Sequence, residues 1–324
     1  MDPIAVLFAG TFAASLETRV CAHLTRPCAV GAADESAVAA LMPDVDVLVT
    51  MAFSREMARE AKRLKLVQVP GAGLDRIDRA ALPPGAALAN AYGHEIGIAE
   101  YVLGAMLALT REFTRLDAAL RHGTWASQWA VGTAPPAPWP ELAGRTLGIV
   151  GHGRIGQALA RRARAFDMTV LAIRRDVTRS DPNALVRGPD ALGDVLARAD
   201  YLAITAPLTA ETRGLIGERE LATLKPSAVV VNVSRAEIVD EDALYRALAE
   251  RKIAAAALDV WYRYPSGPGR TPPARRPFHE LPNVLMTPHV SGWTDGMMEA
   301  RARVIAGNIE RVARGEPPVN AIVG

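Results

Sequence analysis

The stretch Thr146–Asp176, TLGIVGHGRIGQALARRARAFDMTVLAIRRD, decides how this chain folds. It opens on a short apolar run and turns through Gly151-His152-Gly153-Arg154-Ile155-Gly156. An amphipathic segment follows, and a second apolar run, TVLAI, closes the unit. A G-x-G-x-x-G string is weak by itself, but set between a strand and a helix it is what a dinucleotide-binding βαβ unit requires. Gly151 permits the tight turn, Gly153 lets the backbone approach a pyrophosphate, and Gly156 allows the helix to pack closely on the strand. The helix start, with Arg154 and Ile155 in its first turn, offers N–H groups to the phosphates.

Around this unit, short apolar runs alternate with helical stretches, the pattern of a parallel α/β protein. IAVLFAG, VDVLVT and LKLVQVP precede it, and YLAIT, AVVVNV, AAALDV and NVLMTP follow, with helical segments such as ALGDVLARA and DEDALYRALAERK among the latter. The segment Thr133–Pro140, TAPPAPWP, is too rich in proline for a helix or a central strand and is expected to be a loop. No internal repeat or low-complexity tract is present.

Composition narrows the function. The chain has 324 residues, half of them hydrophobic, enough for two cores. Its formal charge of +2 over that length gives no reason to expect nucleic acid or an anionic membrane as a partner. Cys21 and Cys28 have no histidine neighbours at zinc-ligand spacing, so two inert thiols in a reducing cytoplasm are expected and no metal is. The apolar start lacks the basic region of a signal peptide and is expected to be a buried strand. Ile96–Thr110 contains Glu100 and falls short of the roughly 20 apolar residues of a membrane span, so a core or interface helix is expected.

Several further motifs occur in order: GAGLDRID (Gly71–Asp78), NAYGHEIGIAEYVLGAMLAL (Asn90–Leu109), APLTAETRGLIG (Ala206–Gly217), LKPSAVVVNVSRAEIVDEDALYRAL (Leu224–Leu248), AAALDV (Ala255–Val260) and LPNVLMTPHVSG (Leu281–Gly292). Together with the glycine loop they make the sequence resemble the D-isomer-specific 2-hydroxyacid dehydrogenases over nearly its whole length. The resemblance implies an α/β fold in which a Rossmann doubly wound nucleotide-binding domain is inserted in a flavodoxin-like substrate domain. Residues 1–95 would form the first part of the substrate domain, 96–288 the dinucleotide-binding domain, and 289–324 the return.

The same resemblance implies roles. Arg235 would grip the substrate carboxylate with its guanidinium fork. His289 would be the acid/base, a role that suits an imidazole in both directions. Asp259 would lie beside the nicotinamide, or be an ordinary strand-end aspartate. Gly71, Ala72 and Gly73 would form a carboxylate loop in which successive N–H groups make an anion-binding concavity, or a simple turn. Pro207 near the nicotinamide and Thr212 beyond it could equally be loop scaffolding. His94 is either a substrate contact or an exposed linker residue.

Two departures from the family pattern carry information. Where NAD-preferring members end the second strand with an acid, this chain has Arg174 followed by Arg175, a pair suited to a 2′-phosphate or simply solvated. In LDVWYRYP (Leu258–Pro265), Tyr264 stands where the family usually has the glutamate that partners the catalytic histidine; Glu280 is a second candidate for that partnership. The expectation is an NADP(H)-preferring 2-oxoacid reductase, with NAD also possible, acting on a small 2-oxo/2-hydroxy acid in the cytoplasm. The expected assembly is a homodimer built on the long apolar helix and the segment with Trp125 and Trp129. A dinucleotide-sensing, co-repressor-like protein with little turnover is the alternative.

Overall fold

The computed structural model describes residues 3–26 and 28–322, which divide into two compact units. The first comprises Met1–His94 and Trp293–Gly324, the second Glu95–Gly292.

In the first unit β1 (Ile4–Ala9), β2 (Cys28–Ala33), β3 (Val47–Thr50), β4 (Leu66–Gln68) and β5 (Ala87–Ala89) form a parallel sheet in the order β2-β1-β3-β4-β5, the flavodoxin-like arrangement. Every residue of β3 and β4 is buried, as expected where helices cover both faces. One face packs Phe8, Val49 and Leu66 against Ile305 and Ile309 of the helix Asp295–Ala313. Thr294 starts that helix, its hydroxyl oxygen accepting from the Met297 amide at 3.2 Å. The fully buried Asn308 donates to Gln68 Oε1 at 2.7 Å and fixes the helix over the sheet.

The second unit holds β6 (Thr146–Val150), β7 (Thr169–Ile173), β8 (Leu185–Arg187), β9 (Tyr201–Ile204), β10 (Val229–Asn232), β11 (Ala255–Leu258) and β12 (Val284–Met286). Their order, β12-β11-β10-β9-β6-β7-β8, is the doubly wound dinucleotide-binding order with one strand added at the far edge. The apolar helix Glu95–Thr110 buries Ile98, Val102 and Met106 on the side that packs on the helix Arg154–Arg164 and on β10 and β11. Among the described residues, no helix is long and apolar enough to cross a membrane.

Three strands lie outside the expected set: β2, β5 and β8. Each is a sheet edge, and the last two are only three residues long. An edge strand needs no continuous apolar run, because one side is open to water. The expected return to the first unit at residue 289 is corrected to Trp293. The segment before it is held in the second unit by Asp259, which accepts from the Val290 and Ser291 amides at 2.8 Å each.

Candidate active site

In a parallel sheet all strands end on one side, and ligands bind outside those carboxyl ends. The candidate residues of the second unit cluster there: Gly151 follows β6, Arg174 follows β7, Pro207 follows β9, Arg235 follows β10, Asp259 follows β11 and His289 follows β12.

At the glycine loop each glycine has its own reason. Gly151 has φ +104°, and a Cβ there would lie 2.3 Å from the Ala206 amide nitrogen. A Cβ on Gly156 would lie 2.6 Å from the Gly151 carbonyl oxygen, so the helix could not sit this close. Gly153 faces open space. It begins the helix Arg154–Arg164 without a side-chain cap, and the N–H groups of its first turn, those of Ile155 and Gly156, point to where an outside acceptor would sit. These residues fit a dinucleotide pyrophosphate.

Arg235 is positioned from below. Asn232 Nδ2 donates to the Arg235 carbonyl at 3.0 Å and Asn232 Oδ1 accepts from the Ser234 amide at 3.1 Å, while the Ser234 hydroxyl bonds the Ala206 carbonyl. The β9 and β10 loops are therefore one hydrogen-bonded assembly. Thr212 belongs to the same scaffolding: its hydroxyl bonds the Pro207 carbonyl at 2.7 Å and accepts from the Thr209 amide at 2.7 Å, closing the loop after Pro207 on itself.

His289 has φ +58°, a left-handed conformation that costs a non-glycine residue about 1–2 kcal/mol. Such an outlier persists where its surroundings over-determine it. Asp259, fully buried, takes Thr287 Oγ1 at 2.6 Å, the Val290 amide and the Ser291 amide, gripping the chain on both sides of His289. Because the Thr287 proton goes to Asp259, Tyr101 OH donates to Thr287 Oγ1, at 2.6 Å. Trp261 Nε1 fastens the Thr287 carbonyl at 2.8 Å. Asp259, expected beside a nicotinamide, has its carboxylate under this loop, where it shapes the histidine corner. Tyr101, Trp261 and Thr287 share in that support, and no spacing in the sequence singles them out.

The ring of His289 meets Tyr264: the hydroxyl lies 2.8 Å from Nδ1. Glu280 is exposed and lies 4.0 Å from His279 instead. Partial burial of the ring, with the Arg235 cation adding to it, holds the His289 pKa below its ordinary value, against an opposing pull from Asp259. Burial raises the Tyr264 pKa, so its phenol is neutral near pH 7.

Arg174 is folded back: its Nε bonds the Asp176 carbonyl and its guanidinium lies 3.8 Å from the Asp176 carboxylate. Arg175 is exposed. Asp176, two residues beyond the expected acidic position, is the neighbour that sequence reasoning left out.

In the first unit the Gly71–Gly73 loop follows β4. Neither Gly71 nor Gly73 has a positive φ, so the alternating backbone of an anion nest is not formed there. The carbonyls of Gly71 and Ala72 accept from the Ala91 amide and Asn90 Nδ2, both at 3.1 Å. Trans peptide geometry then turns the N–H groups of Ala72 and Gly73 the opposite way, leaving donors on the other side of the loop. His94 Nδ1 lies 3.0 Å from the largely buried Arg301.

Strand order, glycine loop and helix N-terminus together define a Rossmann dinucleotide-binding domain. The sequence model described as "D-isomer specific 2-hydroxyacid dehydrogenase, NAD binding domain" matches residues 103–291, and the chain belongs to that family of oxidoreductases. It is 36% identical over 288 residues to a D-3-phosphoglycerate dehydrogenase of Methanocaldococcus jannaschii, covering 86% of this chain and 52% of that one. The chain thus spans about half the length of that relative. It is also 36% identical to a glyoxylate reductase of Pyrococcus furiosus, over 85% of this chain and 81% of that one. A solved structure of a D-isomer specific 2-hydroxyacid dehydrogenase from Xanthobacter autotrophicus, in complex with NADPH and MES, superposes with a TM-score of 0.79 at 26% identity, over 100% of this chain and 98% of that one.

Proposed function

We propose that the chain interconverts a small 2-oxo acid and the corresponding 2-hydroxy acid, with His289 as the acid/base and Arg235 as the carboxylate-binding residue. The observation that carries this is the strained His289, bonded through Nδ1 to Tyr264 and within electrostatic reach of Arg235. With Nδ1 engaged, Nε2 is the ring atom left to meet a substrate oxygen. A bound nicotinamide dinucleotide supplies or accepts the hydride. In reduction His289 donates its Nε2 proton to the carbonyl oxygen; in oxidation neutral His289 takes the hydroxyl proton. Arg235 binds the substrate carboxylate through paired N–H donors and orients the reacting carbon. The Gly71–Gly73 loop has outward N–H groups suited to an anionic ligand.

NADP(H) is the preferred cofactor in this proposal. A 2′-phosphate would take the place of Asp176 as the acceptor for Arg174, with Arg175 alongside. The sensor alternative rested on the loss of the usual glutamate; Tyr264 occupies that place and bonds His289, which favours turnover. We further propose a cytoplasmic homodimer that covers Trp125, Trp129 and Val131, which are 60%, 75% and 98% exposed. Sedimentation showing only a 34.5 kDa species at micromolar concentration would refute the dimer. Stopped-flow oxidation of NADPH with a panel of 2-oxo acids tests the reaction. Turnover absent with His289→Ala but present in the wild type is expected; no wild-type turnover above that control on the whole panel would sink the enzymatic reading.

A further inference from the structure

His152, the first variable residue of the glycine loop, is 2% exposed, and its Nε2 lies 2.8 Å from Asp181 Oδ2. Among the described residues that is the one bond its ring makes, since the equally buried Nδ1 has no partner there. A buried polar atom left unbonded is a standing cost, and an apolar side chain would fill the same space without it. The bond to Asp181 is therefore what the histidine contributes here.

Asp181 lies in the connection from β7 to β8, at the far side of the segment that carries Arg174, Arg175, Asp176 and Arg179. It is itself set in place: Oδ1 accepts from the Asn183 amide at 2.8 Å and from Asn183 Nδ2 at 3.1 Å. A tight turn with an isolated bridge between Asp181 and Ala184 then leads into β8. The connection is fastened at its base, where the Arg174 amide donates to the Arg187 carbonyl at 3.0 Å and the Ile173 carbonyl accepts from the amides of Gly151 and His152. The base is held by backbone, and the tip is held to the glycine loop through the His152 ring.

We propose that His152 is a positioning residue for cofactor selection: its bond to Asp181 clasps the Arg174–Arg187 connection onto the glycine loop, so that the arginines face a 2′-phosphate already ordered. The proposal rests on the NADP(H) reading. Without the clasp, each binding event has to order the connection first, and only a ligand that uses the arginines bears that loss. NADH, which lacks the phosphate, is little affected.

The test compares wild type with His152→Phe, Asp181→Ala and the double variant. Kd values for NADPH and NADH are measured by fluorescence titration, and amide hydrogen exchange of residues 174–187 is followed without cofactor. The expected result is a NADPH Kd raised about tenfold in each variant, no further loss in the double variant, and NADH within about twofold. Exchange should quicken in the connection while β6 and β10 stay protected. His152→Gln, whose amide can donate to Asp181, is expected to restore most of the NADPH affinity and also guards against a His152→Phe variant that fails to fold. Equal weakening of both cofactors, or unchanged exchange in a folded His152→Phe variant, overturns the clasp. The wild-type ratio of NADPH to NADH affinity judges the cofactor reading separately, because the exchange measurement does not depend on it.

Discussion

Two loops at the carboxyl ends of the same sheet are held by buried groups, in opposite styles. At the corner after β12, Asp259 takes three donors from the chain on either side of His289 and imposes a left-handed backbone on it. In the connection after β7, His152 holds Asp181 by one bond and touches none of the arginine side chains through it. The first arrangement fixes a single ring to within a hydrogen bond, as proton transfer demands. The second fixes only where a loop lies, and leaves Arg175 and Asp176 exposed. Chemistry needs a placed atom, whereas recognition of a phosphate can tolerate a placed charge.

The strongest way to break this contrast is at the rigid corner. His289→Asn removes the proton donor and should lower kcat/KM for 2-oxo acid reduction by about 10²–10⁴. Asp259→Ala leaves His289 in place but frees its loop, so kcat should fall about a hundredfold through misplacement, with a loss of about 3 kcal/mol in unfolding free energy. Steady-state kinetics and denaturant titration check both. A fully active Asp259→Ala protein would show that the left-handed corner needs no anchor.

At the looser loop the effects should be smaller. Arg174→Asp should reverse the preference toward NAD(H), by about ten- to a hundredfold in the ratio of Kd values, since a carboxylate accepts ribose hydroxyls and repels a phosphate. Asp176 sharpens the expectation: with Arg174 gone it loses its cation, and two acids then face the ribose. A wild-type protein that binds NADH as tightly as NADPH in the same titration would remove Arg174 from cofactor choice.

How much of this was legible in the sequence follows the same division. The glycine loop and the buried strands were readable because local rules dictate them: a turn that excludes Cβ and sheet positions covered on both faces. Arg235, His289 and Tyr264 were located by family motifs, and the Tyr264–His289 bond agrees with the position that suggested it. The Asp259 network and the His152–Asp181 bond were not legible. They join residues 28 to 32 positions apart in one case and 29 in the other, with no periodicity to betray them. Edge strands escaped for a related reason, since half of their environment is water. The nest expected at Gly71–Gly73 failed because glycine permits a positive φ without imposing one.

The finest test concerns the partner of the histidine. Tyr264 is neutral and offers imidazolium only an oxygen lone pair, whereas a carboxylate there would offer a full charge. Partial burial and Arg235 already hold the His289 pKa below its ordinary value. Reduction needs the protonated ring, so its kcat/KM should fall as pH rises through that lowered pKa. Oxidation needs the neutral ring and should rise through the same value, which places both midpoints below about 6.5. Tyr264→Glu should raise the pKa and move both midpoints upward together, by about one unit. Tyr264→Phe keeps the ring and removes the hydroxyl, so it should lower kcat several-fold through lost orientation while the midpoints stay low. Paired pH profiles in the two directions measure this directly. If the glutamate variant folds and leaves both midpoints where they were, the 2.8 Å contact between Tyr264 and His289 does not govern the proton, and burial and Arg235 set the pKa without it.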